Sequence, residues 1–271
     1  MSGQSILNFN NTSIVLNSRF LPTASTSKHV VVMLHPFPFS SLMWERMAGH
    51  LQSLRDDTAL LLIDFPGFGE STLRTQWDFS ALSLELRGMI EHHTRKPVTI
   101  AGLSMGGYAA LEFYRINSDI VRAIVLSNTR AEADPEKEKL SRAVFAEEAL
   151  QRGADVAVER LYSNFVTERT DPEIARDIRR WILEANPAAI AAALKTMANR
   201  RDSRVLLPKI FIPSLIIASD RDRVTRTTSL RKLASELANS SFIEIKDAAH
   251  LSAVEKPEEW AAALANFLDR V

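Results

Sequence analysis

The 271-residue chain contains no cysteine. Disulfides, thiolate nucleophiles and cysteine-bound metals are therefore excluded, while the redox compartment stays open. Net charge is also missing, because 33 basic side chains balance 33 acidic ones. That argues against a nucleic-acid partner, which normally shows itself as a basic stripe. The arginine pairs Arg179-Arg180 and Arg200-Arg201 are read as solvated helix faces. No apolar run approaches the roughly 20 residues that span a bilayer. The opening residues, MSGQSILNFN, lack the basic-then-apolar order of a secretory signal. A cytoplasmic protein without membrane or nucleic-acid partners is the expectation.

What the chain does have is an apolar fraction of 46%, enough for a sizeable core. Its length suits one large α/β unit, or one such unit with an insertion. The opening reads as a hairpin, with Ile6–Phe9 and Ile14–Asn17 flanking a short NNT turn. Further on come short runs at 30–34, 59–64, 97–102, 122–127, 214–219 and 241–246. All but the last are apolar nearly throughout, as in a parallel sheet covered by helices on both faces. Helical stretches fall between them at about 41–54, 80–93, 106–116, 227–238 and 257–268. The alternation predicts an α/β fold with a mostly parallel, doubly wound sheet.

The rhythm breaks between about Thr129 and Leu207. Four segments there, at 131–153, 154–165, 171–185 and 186–198, read as helices with no strand among them. Asp171-Pro172 and Asn186-Pro187 have the polar-cap-then-proline form of a helix start. The expected organisation is a core of residues 1–128 and 208–271 with an all-helical lid at 129–207. A simple crossover would need one helix rather than four.

The sharpest local pattern is Gly102-Leu103-Ser104-Met105-Gly106-Gly107, placed between a strand and a helix. A serine there needs a very tight turn, and glycine at Gly102 and Gly106 removes side chains that would collide in it. Amides opening the following helix can stabilise a developing oxyanion. A serine hydroxyl needs a base. Of six histidines, His92 and His93 look like exposed helix-end residues, His29 precedes the first parallel strand, and His50 sits in an amphipathic helix. His250, between the last strand and the final helix, is the candidate base, because strand carboxyl ends converge on one edge of a parallel sheet. His35 is at that edge too, but its loop, His35-Pro36-Phe37-Pro38, suggests support for a backbone donor at Phe37, with Met105 as the second. The orienting acid is Asp222 or Asp220, and Asp222 is favoured because it lies deeper in the loop. Asn128, in the other conceivable position, cannot supply a carboxylate.

Together these residues resemble the α/β-hydrolase superfamily over nearly the whole chain. The likeness rests on HPFPFSSLMW, DFPGFGES, GLSMGG, and ASDRDRVT followed by AAHLSAVEKPEEW, in that order. It implies Ser104 as nucleophile, Asp222 as acid, His250 as base, the amides of Phe37 and Met105 as oxyanion hole, and the helical insertion as a cap. Within the superfamily the chain is most like the branch of 3-oxoadipate enol-lactonases and cofactor-free haloperoxidase-like esterases. Pro36 replaces a common glycine, and Thr225 replaces a common proline, a change expected to be harmless. Members with an aspartate nucleophile are set aside by Ser104, and Leu251 replaces the tryptophan that often follows the histidine in carbon–carbon bond hydrolases.

The expected reaction is hydrolysis of a small ester or lactone by water through an acyl-enzyme, without metal or organic cofactor. Carbon–carbon or amide hydrolysis, or acyl transfer to peroxide or an alcohol, would use the same triad. A ligand-binding homologue without activity is the third class. DFPGFGES lacks both the Lys-Ser/Thr pair of a P-loop and the dinucleotide glycine spacing, so Gly67 and Gly69 are read as shaping a bend. Trp44, Phe65, Phe68, Trp77 and Trp181 are read first as core, with at least one expected at the pocket. The arginines at 142, 176, 179, 180, 200 and 201 are weighed as anchors for a substrate carboxylate against an exposed charged surface.

Overall fold

Apolar runs that need cover on both faces pair side by side into one sheet. The computed structural model describes residues 4–9, 12–23 and 27–271. Eight strands are found among them: β1 (Gln4–Phe9), β2 (Thr12–Leu21), β3 (His29–Leu34), β4 (Thr58–Ile63), β5 (Val98–Leu103), β6 (Val121–Ser127), β7 (Ser214–Ser219) and β8 (Ser240–Ile245). Their spatial order is β1-β2-β4-β3-β5-β6-β7-β8. β1 and β2 form the expected antiparallel hairpin, although Asn10 and Asn11 of its turn lie outside the described residues. β2 joins β4 antiparallel, and every later pairing is parallel. β3, β4, β5 and β7 are buried at every position, whereas β8, at the edge, is mostly half-exposed. This is why β8, unlike the other parallel strands, carries a mixed sequence.

The covering helices are α1 (Glu45–Leu54), α2 (Phe79–His93), α3 (Met105–Asn117), α4 (Glu136–Arg152), α5 (Asp155–Phe165), α6 (Pro172–Glu184), α7 (Pro187–Ala198), α8 (Thr227–Ser235), the short α9 (Ser252–Glu255) and α10 (Pro257–Leu268). α1 packs against α10, and α2 against α3. Trp44, in the tight turn before α1, meets Trp260 of α10 with ring centroids 5.4 Å apart, and both are fully buried. Among the described residues no helix is long and apolar enough to cross a membrane.

α4 to α7 fall between β6 and β7 and form a helical cap. Asp171 accepts from the amides of Glu173 and Ile174, and Asn186 from that of Ala188, so both polar-cap-then-proline pairs do open helices. α6 buries Ile174, Ile178 and Ile182, one residue per turn. α4 begins five residues later than its composition suggests, because Pro135 is extended at φ −67° and ψ 160° and precludes a helical residue before it. The displaced Asp134 is buried instead, ion-paired to Arg200 at 2.7 Å and to Arg142. Arg200 is therefore an internal tie at the base of the cap and not a solvated face, which corrects the reading of the Arg200-Arg201 pair.

Candidate active site

Ser104 stands between β5 and α3 with φ 53° and ψ −113°, a backbone region that costs an L-residue about 1–3 kcal/mol. Its neighbours impose that geometry. The Ser104 amide donates to Ser127 O of the adjacent strand at 2.9 Å, and the Thr129 hydroxyl donates to Ser104 O at 2.7 Å. A side chain at Gly102 would come within 2.1 Å of Gly106 O, and one at Gly106 within 2.0 Å of Leu34 O. Both glycines are required by close backbone approach. Met105 opens α3 and is fully buried. Its amide belongs to the first turn, where no intrahelical acceptor exists.

Asp222 follows β7 and His250 follows β8, so with Ser104 after β5 all three occupy loops at the carboxyl edge of the sheet. His250 Nδ1 lies 2.8 Å from Asp222 Oδ2, and the two side chains are 1% and 0% exposed. The other carboxylate oxygen, Oδ1, accepts from the amides of Val224 at 2.7 Å and Thr225 at 2.9 Å. The acid is thus aimed before it meets the ring. Asp220, two residues earlier, is exposed. Thr225 also contributes an N–H that a proline could not.

Three residues that the sequence reading passed over hold His250. Asn128, at φ 43° and buried, donates its side-chain amide to His250 O at 2.8 Å and to Ser219 Oγ at 2.6 Å. Phe165 of the cap stacks on the imidazole at 5.6 Å with 13° between planes. Glu255 accepts the Ala249 amide at 2.9 Å. Asn128 was visible in the sequence only as an absent carboxylate; nothing local marks Phe165 or Glu255.

His35 is fully buried, but both ring nitrogens are occupied. Nδ1 donates to Pro36 O at 2.9 Å, and Nε2 accepts the Phe65 amide at 3.0 Å. That pattern needs a neutral ring, and burial lowers its pKa to about 4 despite the nearby Asp64. Asp64 accepts from the Ser41 amide at 2.7 Å and from Asn17 at 3.0 Å, tying the loop after β3 to that after β4. Phe37, in the loop so held, is nearly buried, and the Phe37-Pro38 peptide is cis. Gly67 and Gly69 take φ values of 81° and 54° in the neighbouring bend.

The other candidates scatter. His93 is half-buried and stacked on Phe20 at 4.8 Å, not exposed as expected, because β2 passes alongside. Burial, then His92, lowers its pKa. Trp44 and Phe65 are core, while Phe68 and Trp181 line a cavity of about 440 Å³ with Pro38 and Phe39. A cavity of about 270 Å³ contains Phe37, Phe145, Leu161 and Leu194, with Arg142 and Arg160 beside them. A larger cavity, about 540 Å³, lies between α2, α3 and α7 around Trp77, Tyr108 and Arg200, and includes none of Ser104, Asp222 or His250. Arg180 pairs with Asp177 at 2.9 Å, Arg201 stands 3.7 Å from Glu112, and Arg176 and Arg179 lie exposed on α6. Among the described residues no three side chains cluster as metal ligands.

A mostly parallel sheet with a strand–serine–helix elbow and a helical cap after its sixth strand is an α/β-hydrolase architecture. Residues 31–263 match the alpha/beta hydrolase family, and the chain belongs to it. It is 25% identical over 235 residues to 3-oxoadipate enol-lactonase 2 of Acinetobacter baylyi, covering 84% of each chain. It is 26% identical over 223 residues to a pimeloyl-[acyl-carrier protein] methyl ester esterase of Neisseria meningitidis, covering 77% of this chain and 82% of that one. Among solved structures, a thermophilic esterase from Thermogutta terrifontis superposes with a TM-score of 0.91 at 29% identity, over 100% of this chain and 98% of that one.

Proposed function

We propose that this protein is a serine hydrolase cleaving a carboxylic ester or lactone through an acyl-enzyme on Ser104. The observation that carries the reading is the buried His250–Asp222 pair, its carboxylate aimed by two amides, on the same sheet edge as a serine held in a strained elbow. The three relatives are named as an enol-lactonase, a methyl ester esterase and an esterase, which supports an ester-like bond.

With Nδ1–H given to Asp222, the lone pair of the neutral ring is on Nε2, which makes that nitrogen the base. His250 takes the Ser104 proton as Oγ bonds to the substrate carbonyl carbon. The amides of Phe37 and Met105 hold the oxygen that becomes negative. As the carbon–oxygen bond to the leaving group breaks, His250 returns the proton to that oxygen. Water then loses a proton to His250 and attacks the acyl carbon; as the acyl–Oγ bond breaks, His250 returns that proton to Ser104 Oγ and the acid is released. Asp222 stabilises the imidazolium without taking the proton. His35 is unsuited to the base role, because both of its nitrogens are already used. We assign residues 129–207 as the cap and the cavity at Phe37 as the place where the acyl or alcohol portion is seated.

Hydrolysis of short acyl esters, compared between wild type and Ser104→Ala with matched circular dichroism, tests the reading. Loss of about 10³-fold or more in kcat/KM is expected. A wild type that neither turns over esters nor is labelled at Ser104 by a fluorophosphonate would exclude it.

A further inference from the structure

One short stretch of the cap, residues 163–170, is fastened to the two loops that carry Asp222 and His250. Ser163 O accepts from Arg223 at 3.3 Å. Glu168 pairs with Arg221 at 3.1 Å, and Arg169 with Asp247 at 2.9 Å. These ion pairs are largely exposed and contribute little. The two shielded contacts matter more: the Phe165 ring on His250, and the Thr170 hydroxyl, which donates to Glu255 Oε2 at 2.8 Å.

Glu255 is 9% exposed and reaches in both directions. Its Oε2 meets the cap at Thr170, and its Oε1 accepts the amide of Ala249, the residue before His250, at 2.9 Å. Asn128 holds the same loop through His250 O at 2.8 Å, and the Arg221 amide donates to Ala248 O at 3.1 Å. The side-chain partners of Asn128, Ser219 and His250, lie in the core, whereas Glu255 also contacts the cap through Thr170.

We propose that Glu255 is a positioning residue, coupling the seating of the cap to the placement of His250. The inference rests on the acyl-transfer reading above. Loss of the Thr170 contact frees one carboxyl oxygen and lets water reach a group that otherwise anchors Ala249. The loop beside His250 then loses its anchor at Ala249, and a small displacement of a base is costly because proton transfer needs hydrogen-bond reach.

The state of the carboxyl supports this role. Burial raises its pKa from 4.5 to about 7, against the opposing hydrogen bonds from Thr170 and Ala249 and the fields of Lys256 and His250. From the cap the facing group is the neutral Thr170 hydroxyl, with Glu168 and Arg169 directed to Arg221 and Asp247. Ionisation of Glu255 near neutrality places a negative charge beside the His250 loop, which favours the imidazolium.

The test compares wild type, Glu255→Ala, Glu255→Gln and Thr170→Val by kcat and KM on p-nitrophenyl acetate across pH 5–9. Fluorophosphonate labelling rates and thermal midpoints accompany them. Glu255→Ala and Thr170→Val are each expected to lower kcat and the labelling rate about tenfold, with KM within about twofold. Glu255→Gln, which keeps an acceptor for Ala249, should restore most of kcat and remove an inflection near pH 7. Wild-type kcat and pH profile in both Glu255→Ala and Thr170→Val overturn the coupling. Should Glu255→Ala fail to fold, Thr170→Val decides alone, and an unchanged kcat there is sufficient to reject it. A wild type without turnover or labelling takes the hydrolase reading down first, and this inference with it.

Discussion

His35 and His250 stand at the carboxyl edge of the same sheet, at the ends of β3 and β8, and both are closed off from water. Around His35, one nitrogen donates to a carbonyl and the other accepts an amide, so the ring is a neutral bracket between two loops. Around His250, Nδ1 meets a carboxylate, and the backbone carbonyl is held by Asn128. Burial is common to both; the partners differ. A histidine whose two nitrogens are bound by backbone has stability to contribute, whereas one braced on a single nitrogen by an acid suits the base role proposed for it.

Substitutions can break or sharpen that contrast. His250→Ala should lower kcat/KM on an activated ester by about 10⁴-fold, while His35→Ala, measured per folded molecule, stays within about tenfold of wild type. Similar losses from the two would erase the distinction. Asp222→Asn should also cost about 10⁴-fold, because an amide facing Nδ1 no longer selects the tautomer that is basic at Nε2.

His35→Ala is expected to act mainly on stability. It strands the Phe65 amide and the Pro36 carbonyl and opens a cavity, for a loss of about 3 kcal/mol in urea unfolding. The wild-type contribution also depends on pH. With a native pKa of about 4 against 6.5 unfolded, His35 contributes stability above pH 6.5. That part is lost as pH falls toward 4, since the unfolded chain takes a proton which the native ring refuses. Glu255 works in the opposite sense: its pKa, raised from 4.5 to about 7, makes its share greatest below pH 4.5 and lost as pH rises through 7. Unfolding measured between pH 4.5 and 6.5 should therefore become less stable on acidification in Glu255→Gln relative to wild type, and less acid-sensitive in His35→Ala. Parallel stability curves for all three proteins would contradict both assignments.

Much of the fold was legible in local chemistry. The runs at 30–34, 59–64 and 214–219 are apolar nearly throughout because helices cover both faces, and the mixed run at 241–246 is an edge strand for the converse reason. Gly102 and Gly106 flanking a serine between strand and helix describe a steric requirement confined to a few residues. Proline restrains its neighbour, and for that reason α4 starts at Glu136 rather than earlier.

Other features have no local signature. Asp220 and Asp222 share a loop, and only the approach of the β8 loop puts His250 against the second. Arg200 looks like a surface residue beside Arg201 until Asp134 is brought to it from across the cap. Asn128 sits 122 residues from the carbonyl that it holds, and Thr170 lies 85 residues from Glu255. The sequence by itself determined the alternating elements, the elbow at Ser104 and the loops that carry Asp222 and His250, since periodicity, glycine clearance and chain order act at short range. Tertiary structure alone decided which histidine is left with a nitrogen to spare and which side chains steady it, because burial and hydrogen-bond partners are shared between segments that meet only after folding.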